Sequence, residues 1–326
     1  MSKYVIFGGA GFVGVNLVKK LAGEHDIVVA DNLAYTQEPN LAALRAIDGV
    51  QVVEGDVRDE SLVNDLVGSG TAGVFHLASL VGIKNYLRDP LGLIDTNILG
   101  TRNVAKSCVQ HGVKMLYTST SEVLGRNEDV PWGEDADRVY GAATVDRWAY
   151  GASKGVSEQM LNAMHRQLGL HLMIVRFFNV YGPFQRPYFV ASKTLYHYLR
   201  DERPLKYDSG NQTRCFTFIE DAIDAVLALF KRGVDGETYH IGSQFEYTID
   251  EFIDLTRQIC GSALLAQPWD TAVQYGEVYE DISRRVPNVS KILSHVNWRA
   301  TTPVEDGMIK FRKWALANRW WLDLHV

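Results

Sequence analysis

The chain has 326 residues, 46% of them apolar and 22% charged, with a formal net charge of −6 and a pI near 5.9. That length and apolar share support a large buried core and exclude a disordered chain, while the acidic balance gives no broad positive field and argues against nucleic acid as a partner. Cys108, Cys215 and Cys260 lie far apart with no Cys-x-x-Cys spacing, which argues against a disulfide frame or a zinc site; no apolar run has bilayer or signal-sequence length, so a cytoplasmic protein without a membrane partner is expected.

Tyr4 to Gly8 is an apolar run that stops at glycines, and Phe12 to Leu21 then shows helical spacing, which predicts a strand, a tight turn and a helix. Between them stands Gly8-Gly9-Ala10-Gly11-Phe12-Val13-Gly14. Without side chains at Gly8 and Gly11 the backbone can approach a pyrophosphate, the helix N-terminus faces its charge, and Gly14 lets helix and strand pack closely. A second strand, Ile27 to Ala30, ends in Asp31 and Asn32 at the offset where a carboxylate meets the adenosine ribose hydroxyls, which favours NAD over NADP.

Gln51 to Glu54 reads as a third strand leading to Asp56 and Val57, and Val74 to Leu77 as a fourth leading to Ala78 and Ser79. In a doubly wound sheet ligands bind beyond the carboxyl ends of strands, so Asp56 and Val57 are expected beside adenine and Leu77, Ala78 and Ser79 toward the nicotinamide. His76 is expected to be structural. Pro90 opens a long helix from Leu91 to His111, inside which Asn97 is expected to brace the helix by a hydrogen bond, and Met115 to Thr118 is a fifth strand leading into Thr120-Ser121-Glu122.

The next helix, Arg147 to Gly169, carries Tyr150 and Lys154. Four residues apart on a helix they share one face, so the ammonium is expected beside the phenol, easing its ionisation and making Tyr150 a candidate general base. Leu172 to Phe177 is a further strand. After it the alternation loosens: Lys193 to Arg200, Glu220 to Arg232 and Asp250 to Cys260 read as helices, the last opened by a capping box of Thr248 and Glu251, and Tyr239 to Ile241 as a buried strand. Trp314, Trp320 and Trp321 are expected to pack rather than bind. The expected fold is α/β, a Rossmann-type doubly wound parallel sheet over residues 1–179 with parts of 216–250 returning to it, and a smaller interleaved C-terminal substrate lobe drawn mainly from 180–326.

With Gly8-x-x-Gly11-x-x-Gly14, Asp31, Asp56-Val57, His76-Leu-Ala-Ser79, Thr120-Ser121-Glu122, Tyr150-x-x-x-Lys154 and Arg176-x-x-Asn179-x-Tyr-Gly-Pro183 in this order, essentially the whole chain resembles the extended short-chain dehydrogenase/reductases. That superfamily includes NAD-dependent nucleotide-sugar epimerases, dehydratases and decarboxylases. Ser121 with Glu122 resembles the UDP-glucuronate decarboxylases, although GDP-mannose dehydratases also have Thr-Ser-Glu. Tyr86 before Pro90, Arg147-Trp148-x-Tyr150 and Arg214-Cys-Phe-Thr217 are similar to segments of bacterial UDP-glucuronate decarboxylases. The resemblance places Tyr86, Ser121, Glu122 and Arg214 around the sugar, and Arg285 and Asn179 on the nucleotide diphosphate. Two departures are expected to touch the sugar pocket: Leu124 in place of the usual tyrosine, and a longer loop from Ala78 to Tyr86.

The resemblance implies oxidation of the sugar at C4, with Tyr150 taking the hydroxyl proton, Thr120 holding the oxygen and Lys154 also holding the nicotinamide ribose. Decarboxylation of UDP-glucuronate to UDP-xylose or its 4-keto form comes first. Removal of the C5 proton by Glu122 would make a dehydratase, and return of hydride to the other face a 4-epimerase. A cofactor-sensing binding module would need no Tyr-Lys pair. By the same resemblance the two long helices pair with their copies in a homodimer.

Overall fold

Repeated apolar runs separated by amphipathic helices leave the chain one economical arrangement, a parallel sheet covered on both faces. The computed structural model describes residues 2–82, 88–271 and 282–325. Strands β1 (Ser2–Phe7), β2 (His25–Asp31), β3 (Val50–Glu54), β4 (Thr71–His76), β5 (Met115–Thr120) and β6 (Leu172–Phe177) enter a central seven-stranded sheet. Short strands β7 (Val180–Tyr181), β8 (Leu205–Tyr207), β9 (Thr213–Cys215) and β10 (Thr217–Phe218) follow, and β11 (Thr238–Ile241) then returns to pair with β6. The sheet order is β11-β6-β5-β4-β1-β2-β3, with every pairing parallel. The order reverses at β1 and β4, which opens the ligand crevice at their carboxyl ends.

Two apolar clusters cover the two faces of this sheet. Ile6, Val29, Phe75, Leu116 and Val175 point to one, Val5, Val28, Val74, Met115 and Ile174 to the other, as the two-residue period of a strand requires. The helix Ile219–Arg232 joins the first cluster through Ala222, Val226 and Leu229. Beyond β6 the chain builds a three-stranded sheet in which β9 lies between β12 (Glu246–Thr248) and β14 (Arg284–Arg285), and β8 pairs with β13 (Gln267–Trp269). The Thr248 and Glu251 capping box is present at the start of Ile249–Cys260. The helix Val304–Ala317, which the sequence reading leaves among short elements and loops, buries Met308 and Phe311, and the Phe311 ring meets Trp314 at a tilt and Trp321 edge-on.

The long helix expected from Leu91 to His111 is interrupted. Pro90–Asp95 is α-helical, Thr96–Gly100 is a single π-helical turn, and Thr101–His111 resumes the α-helix. Apolar spacing does not report such a turn, because one inserted residue rotates the pattern without erasing it. Among the described residues, no helix is long and apolar enough to cross a membrane.

Candidate active site

The turn after β1 is shaped by what it cannot hold. Gly8 takes φ +76°, and a Cβ there would stand 2.5 Å from the Ala78 backbone nitrogen, whereas a Cβ on Gly11 would meet only the Gly8 carbonyl oxygen at 3.4 Å. The helix Phe12–Leu21 begins at Gly11 with no acidic residue in its first turn, so its free amides favour an anion. Phe12 and Val13 pack partly buried against the core, and Gly14 abuts the Gly9 backbone. At the end of β2, Asp31 accepts from the Ala10 amide at 3.1 Å, the Leu33 amide at 2.9 Å and the Thr36 hydroxyl at 3.3 Å, and burial raises its pKa. Asn32 donates to Asp56 at 3.1 Å, and Arg58 grips the same carboxylate at 2.9 and 2.8 Å, which brings Asp56 down to about 2. Val57 is buried against Gly100, and Leu77 donates from its amide to Phe7. A glycine cradle, an amide-rich helix end and a fixed carboxylate on the neighbouring strand suit the diphosphate and ribose of a dinucleotide.

Where β5 ends, Thr120 caps a turn of 3-10 helix over Ser121–Leu124, its hydroxyl accepting from the Glu122 amide at 3.2 Å. The turn carries Ser121 and Glu122 toward the helix Ala149–Leu168, on which Tyr150 and Lys154 are both buried. The Tyr150 phenol lies between the Ser79 and Thr120 hydroxyls; burial and then the Glu122 charge raise its pKa well above that of an ordinary phenol. Lys154 reaches past it, donating to the Thr118 carbonyl at 2.9 Å with its nitrogen 4.5 Å from the Tyr117 ring centre. Burial brings Lys154 down to about 7. Desolvation thus acts on both groups against their charged forms.

Glu122 is held from two sides. Arg147 donates to Oε2 at 2.6 Å and Arg285 to Oε1 at 3.2 Å. Burial alone would raise the carboxyl pKa, but the charges and hydrogen bonds of Arg147 and Arg285 together outweigh it and hold Glu122 at about 2. Arg285 reaches this position from β14, where it is the register partner of Arg214 on β9, and both arginines are buried. Arg214 donates to the Thr213 carbonyl at 2.7 Å. The Arg285 strand is fixed by Trp132, whose amide donates to the Val286 carbonyl at 2.8 Å and whose carbonyl accepts from Asn288 at 2.7 Å.

Asn179, at φ +41°, donates to the Cys215 carbonyl at 3.3 Å and so ties the end of β6 to β9. Tyr86 lies outside the described residues. Leu124, expected at the sugar pocket, is fully buried with Val123, Trp132, Trp148 and Phe178. An apolar side chain suits that cluster better than the tyrosine it replaces. His76 is structural: fully buried, held by Thr101 at 3.0 Å and lowered to about 3 by burial and then by the Lys154 charge.

The residue that sequence reasoning left without a role is Arg147. Its signal was its place three residues before Tyr150 at the entrance to the same helix, one turn away along a shared face.

The family model described as the NAD dependent epimerase/dehydratase family matches residues 4–242. The chain is 32% identical over 316 residues to the UDP-N-acetyl-alpha-D-glucosaminuronate decarboxylase of Bacillus cytotoxicus, covering 95% of this chain and 96% of that protein. It is 29% identical over 320 residues to UDP-glucuronic acid decarboxylase 1 of Xenopus tropicalis, covering 95% of this chain and 72% of that one. Among solved structures, a dTDP-glucose 4,6-dehydratase of Streptomyces venezuelae with NAD bound matches at a TM-score of 0.88 and 25% identity over 98% of each chain.

Proposed function

The chain belongs to the NAD dependent epimerase/dehydratase family, and from that premise we propose that it decarboxylates a UDP-linked hexuronic acid through a 4-keto intermediate. The turn at Gly8, Gly11 and Gly14 with Asp31 would hold NAD, which when bound would supply reversible hydride chemistry at C4. Tyr150 receives the C4 hydroxyl proton, with Thr120 donating to the same oxygen. The C6 carboxylate is then β to a ketone. Its bond to C5 breaks, carbon dioxide leaves, and the bonding pair passes into an enolate that Thr120 and Tyr150 stabilise from the C4 oxygen. A proton delivered to C5 from water and reduction of the C4 ketone would then give the pentose.

The observation that carries this reading is Glu122 between Arg147 and Arg285. Dehydration would need Glu122 to remove the C5 proton, and a carboxylate held at about 2 by two guanidinium groups is a poor base. Decarboxylation asks for no base at C5. It asks for a cluster that attracts the sugar carboxylate without locking it, since binding lost in the transition state opposes catalysis. Arg147 and Arg285 bring two guanidinium groups onto Glu122 beside Tyr150. In this reading Arg285 faces the sugar rather than the diphosphate, which falls to Asn179 and Arg214.

The test is to incubate the protein and NAD with UDP-glucuronate and, separately, with UDP-N-acetylglucosaminuronate, following products by mass spectrometry and proton NMR. Loss of carbon dioxide from either supports the reading and identifies the C2 substituent. An equal-mass 4-epimer from both would overturn it.

We further infer that residues 1–179 with the returning strand β11 hold NAD while 180–326 mainly hold the nucleotide sugar, and that the chain is a homodimer. Leu91, Leu99 and Val156 stand 74%, 47% and 47% exposed on the helices that the family resemblance pairs. Sedimentation of the purified protein at the monomer mass would remove the dimer.

A further inference from the structure

The edge strand β11 carries a polar side chain between two apolar ones. Tyr239 and Ile241 join the apolar cluster on one face of the sheet, so alternation sends His240 to the other, where it is fully buried as the register partner of Arg176. Its hydrogen bonds assign its tautomer. An arginine only donates, so Arg176 Nη1, which gives one proton to the Glu134 carbonyl at 2.7 Å, gives the other to His240 Nε2 at 3.3 Å. Nδ1 then carries the ring proton and donates it to the Trp132 carbonyl at 3.1 Å. Burial, and after it the Arg176 charge, bring His240 down to about 3, so the ring is a neutral link that does not titrate near neutral pH.

Trp132 joins this link to the site. One lone pair of its carbonyl takes the Asn288 amide at 2.7 Å and the other takes His240. The Trp132 amide donates to the Val286 carbonyl at 2.8 Å, so residues 286–288, which directly follow Arg285, hang on Trp132. The Glu134 carboxylate accepts the His240 amide at 3.1 Å, so one position of β11 holds residues 132–134 through both its backbone and its side chain. Pro287 meets the same strand end, since a Cβ on Gly242 would stand 2.8 Å from its ring.

We propose that His240 is a positioning residue for Arg285: its Nδ1 proton fixes the Trp132 carbonyl, that carbonyl fixes residues 286–288, and these set how far the Arg285 guanidinium reaches toward Glu122 and the bound nucleotide sugar. The Glu158 cluster stands behind this line, because Arg176, held by Glu158 at 2.9 and 2.7 Å, selects the tautomer. The inference rests on the reading above only in taking Arg285 to touch the nucleotide sugar. Asparagine places an amide nitrogen where Nδ1 stands and keeps the donor to Trp132, whereas glutamine keeps an acceptor for Arg176 and loses that donor. Both are neutral, so the difference between them reads one bond. A side chain that merely filled the space would be indifferent to that bond and to Arg285.

The experiment titrates UDP-glucuronate, and UDP alone, into the NAD-loaded protein by calorimetry, in a Tyr150→Phe background that prevents turnover. His240, His240→Asn and His240→Gln are each compared with Arg285 intact and with Arg285→Gln. His240→Gln should lose about tenfold in UDP-glucuronate affinity and His240→Asn less than about threefold, and both losses should vanish in the Arg285→Gln background. Equal losses in the two Arg285 backgrounds, equal losses from Asn and Gln, or unchanged affinity in a His240→Gln protein that retains NAD would overturn the proposal. If His240→Gln does not retain NAD, His240→Ala, whose void admits water to Trp132 and Arg176, takes its place in the same cycle. A loss shared by UDP alone would move Arg285 from the sugar to the diphosphate, leaving the positioning role standing and removing the support for decarboxylation. Absence of carbon dioxide release from the wild type would count against decarboxylation alone, since binding is read before any chemistry.

Discussion

Two glutamates in this molecule are each held by two arginines, and they are put to different use. Glu158, with a side chain 1% exposed, receives Arg176 through two bonds of 2.9 and 2.7 Å and Arg138 through one of 2.6 Å. Arg176 also donates to the Glu134 carbonyl at 2.7 Å, so all three of its nitrogens have protein acceptors. Glu122, with a side chain 16% exposed, receives one bond from each arginine, and Tyr150 stands beside it. A carboxylate saturated by a forked guanidinium and closed over by helix and sheet is a strut. In the proposed reading the same chemistry, next to a buried phenol, receives a substrate's charge. What differs between the two clusters is the fork: Arg176 binds both oxygens of Glu158, whereas Glu122 takes one bond from each of two arginines.

The largest effect should come from breaking the closed cluster. Glu158→Ala leaves the buried Arg176 guanidinium without its anion, at a cost of about 3–5 kcal/mol. Urea unfolding monitored by circular dichroism should show that loss, and a change under 1 kcal/mol would mean the cluster is wetter than its burial implies. Glu122→Gln should invert the pattern. Arg147 and Arg285, both buried, lose their common anion but keep a neutral acceptor, so the loss of stability should be smaller than in Glu158→Ala, while misplacement of the cluster lowers kcat about 100-fold. Equal losses of stability from the two substitutions would erase the distinction.

A third test uses pH. Lys154 is brought from 10.5 in the open chain to about 7 in the fold, chiefly by burial. Between those values the unfolded chain binds a proton that the folded one does not, so stability rises with pH across that window and the gain is complete above it. Thermal unfolding of the cofactor-free protein should rise by on the order of 10 °C relative to Lys154→Met over that range. A parallel pair of curves would place Lys154 in contact with water.

How much of this was legible follows from length scale. Strands of five to seven residues that lead to Gly8, Asp31, Asp56 and Ser79 announce the sheet and the proposed cofactor edge, because alternation and punctuation both have room to show. The capping box at Thr248 is equally local. The strands β9, β12 and β14 have three, three and two residues, too few for any period, so nothing in the sequence announces that Arg285 is brought beside Arg214 and onto Glu122. Arg147 was visible as part of a segment, yet its partner is 25 positions away and is chosen by tertiary packing. The π-turn escaped for the opposite reason. Its helix was plain, but the bulge that carries Asn97 is a one-residue change of phase.

The smallest expected effect completes the comparison. Arg284 and Glu246 form a surface pair at 2.8 Å, with side chains 54% and 26% exposed, on the same short sheet that carries Arg285. Strand alternation points Arg284 outward and Arg285 inward. An exposed pair contributes about 0–1 kcal/mol, so Glu246→Ala should shift the urea midpoint little, and it should leave kcat alone if β14 is held chiefly by Trp132 and by its pairing with β9. A fall in kcat with unchanged stability would show instead that the outer arginine sets the register of the inner one. The ionic chemistry of the site would then begin at the surface, and the boundary drawn between the strut at Glu158 and the open cluster at Glu122 would have to include the pair that faces water.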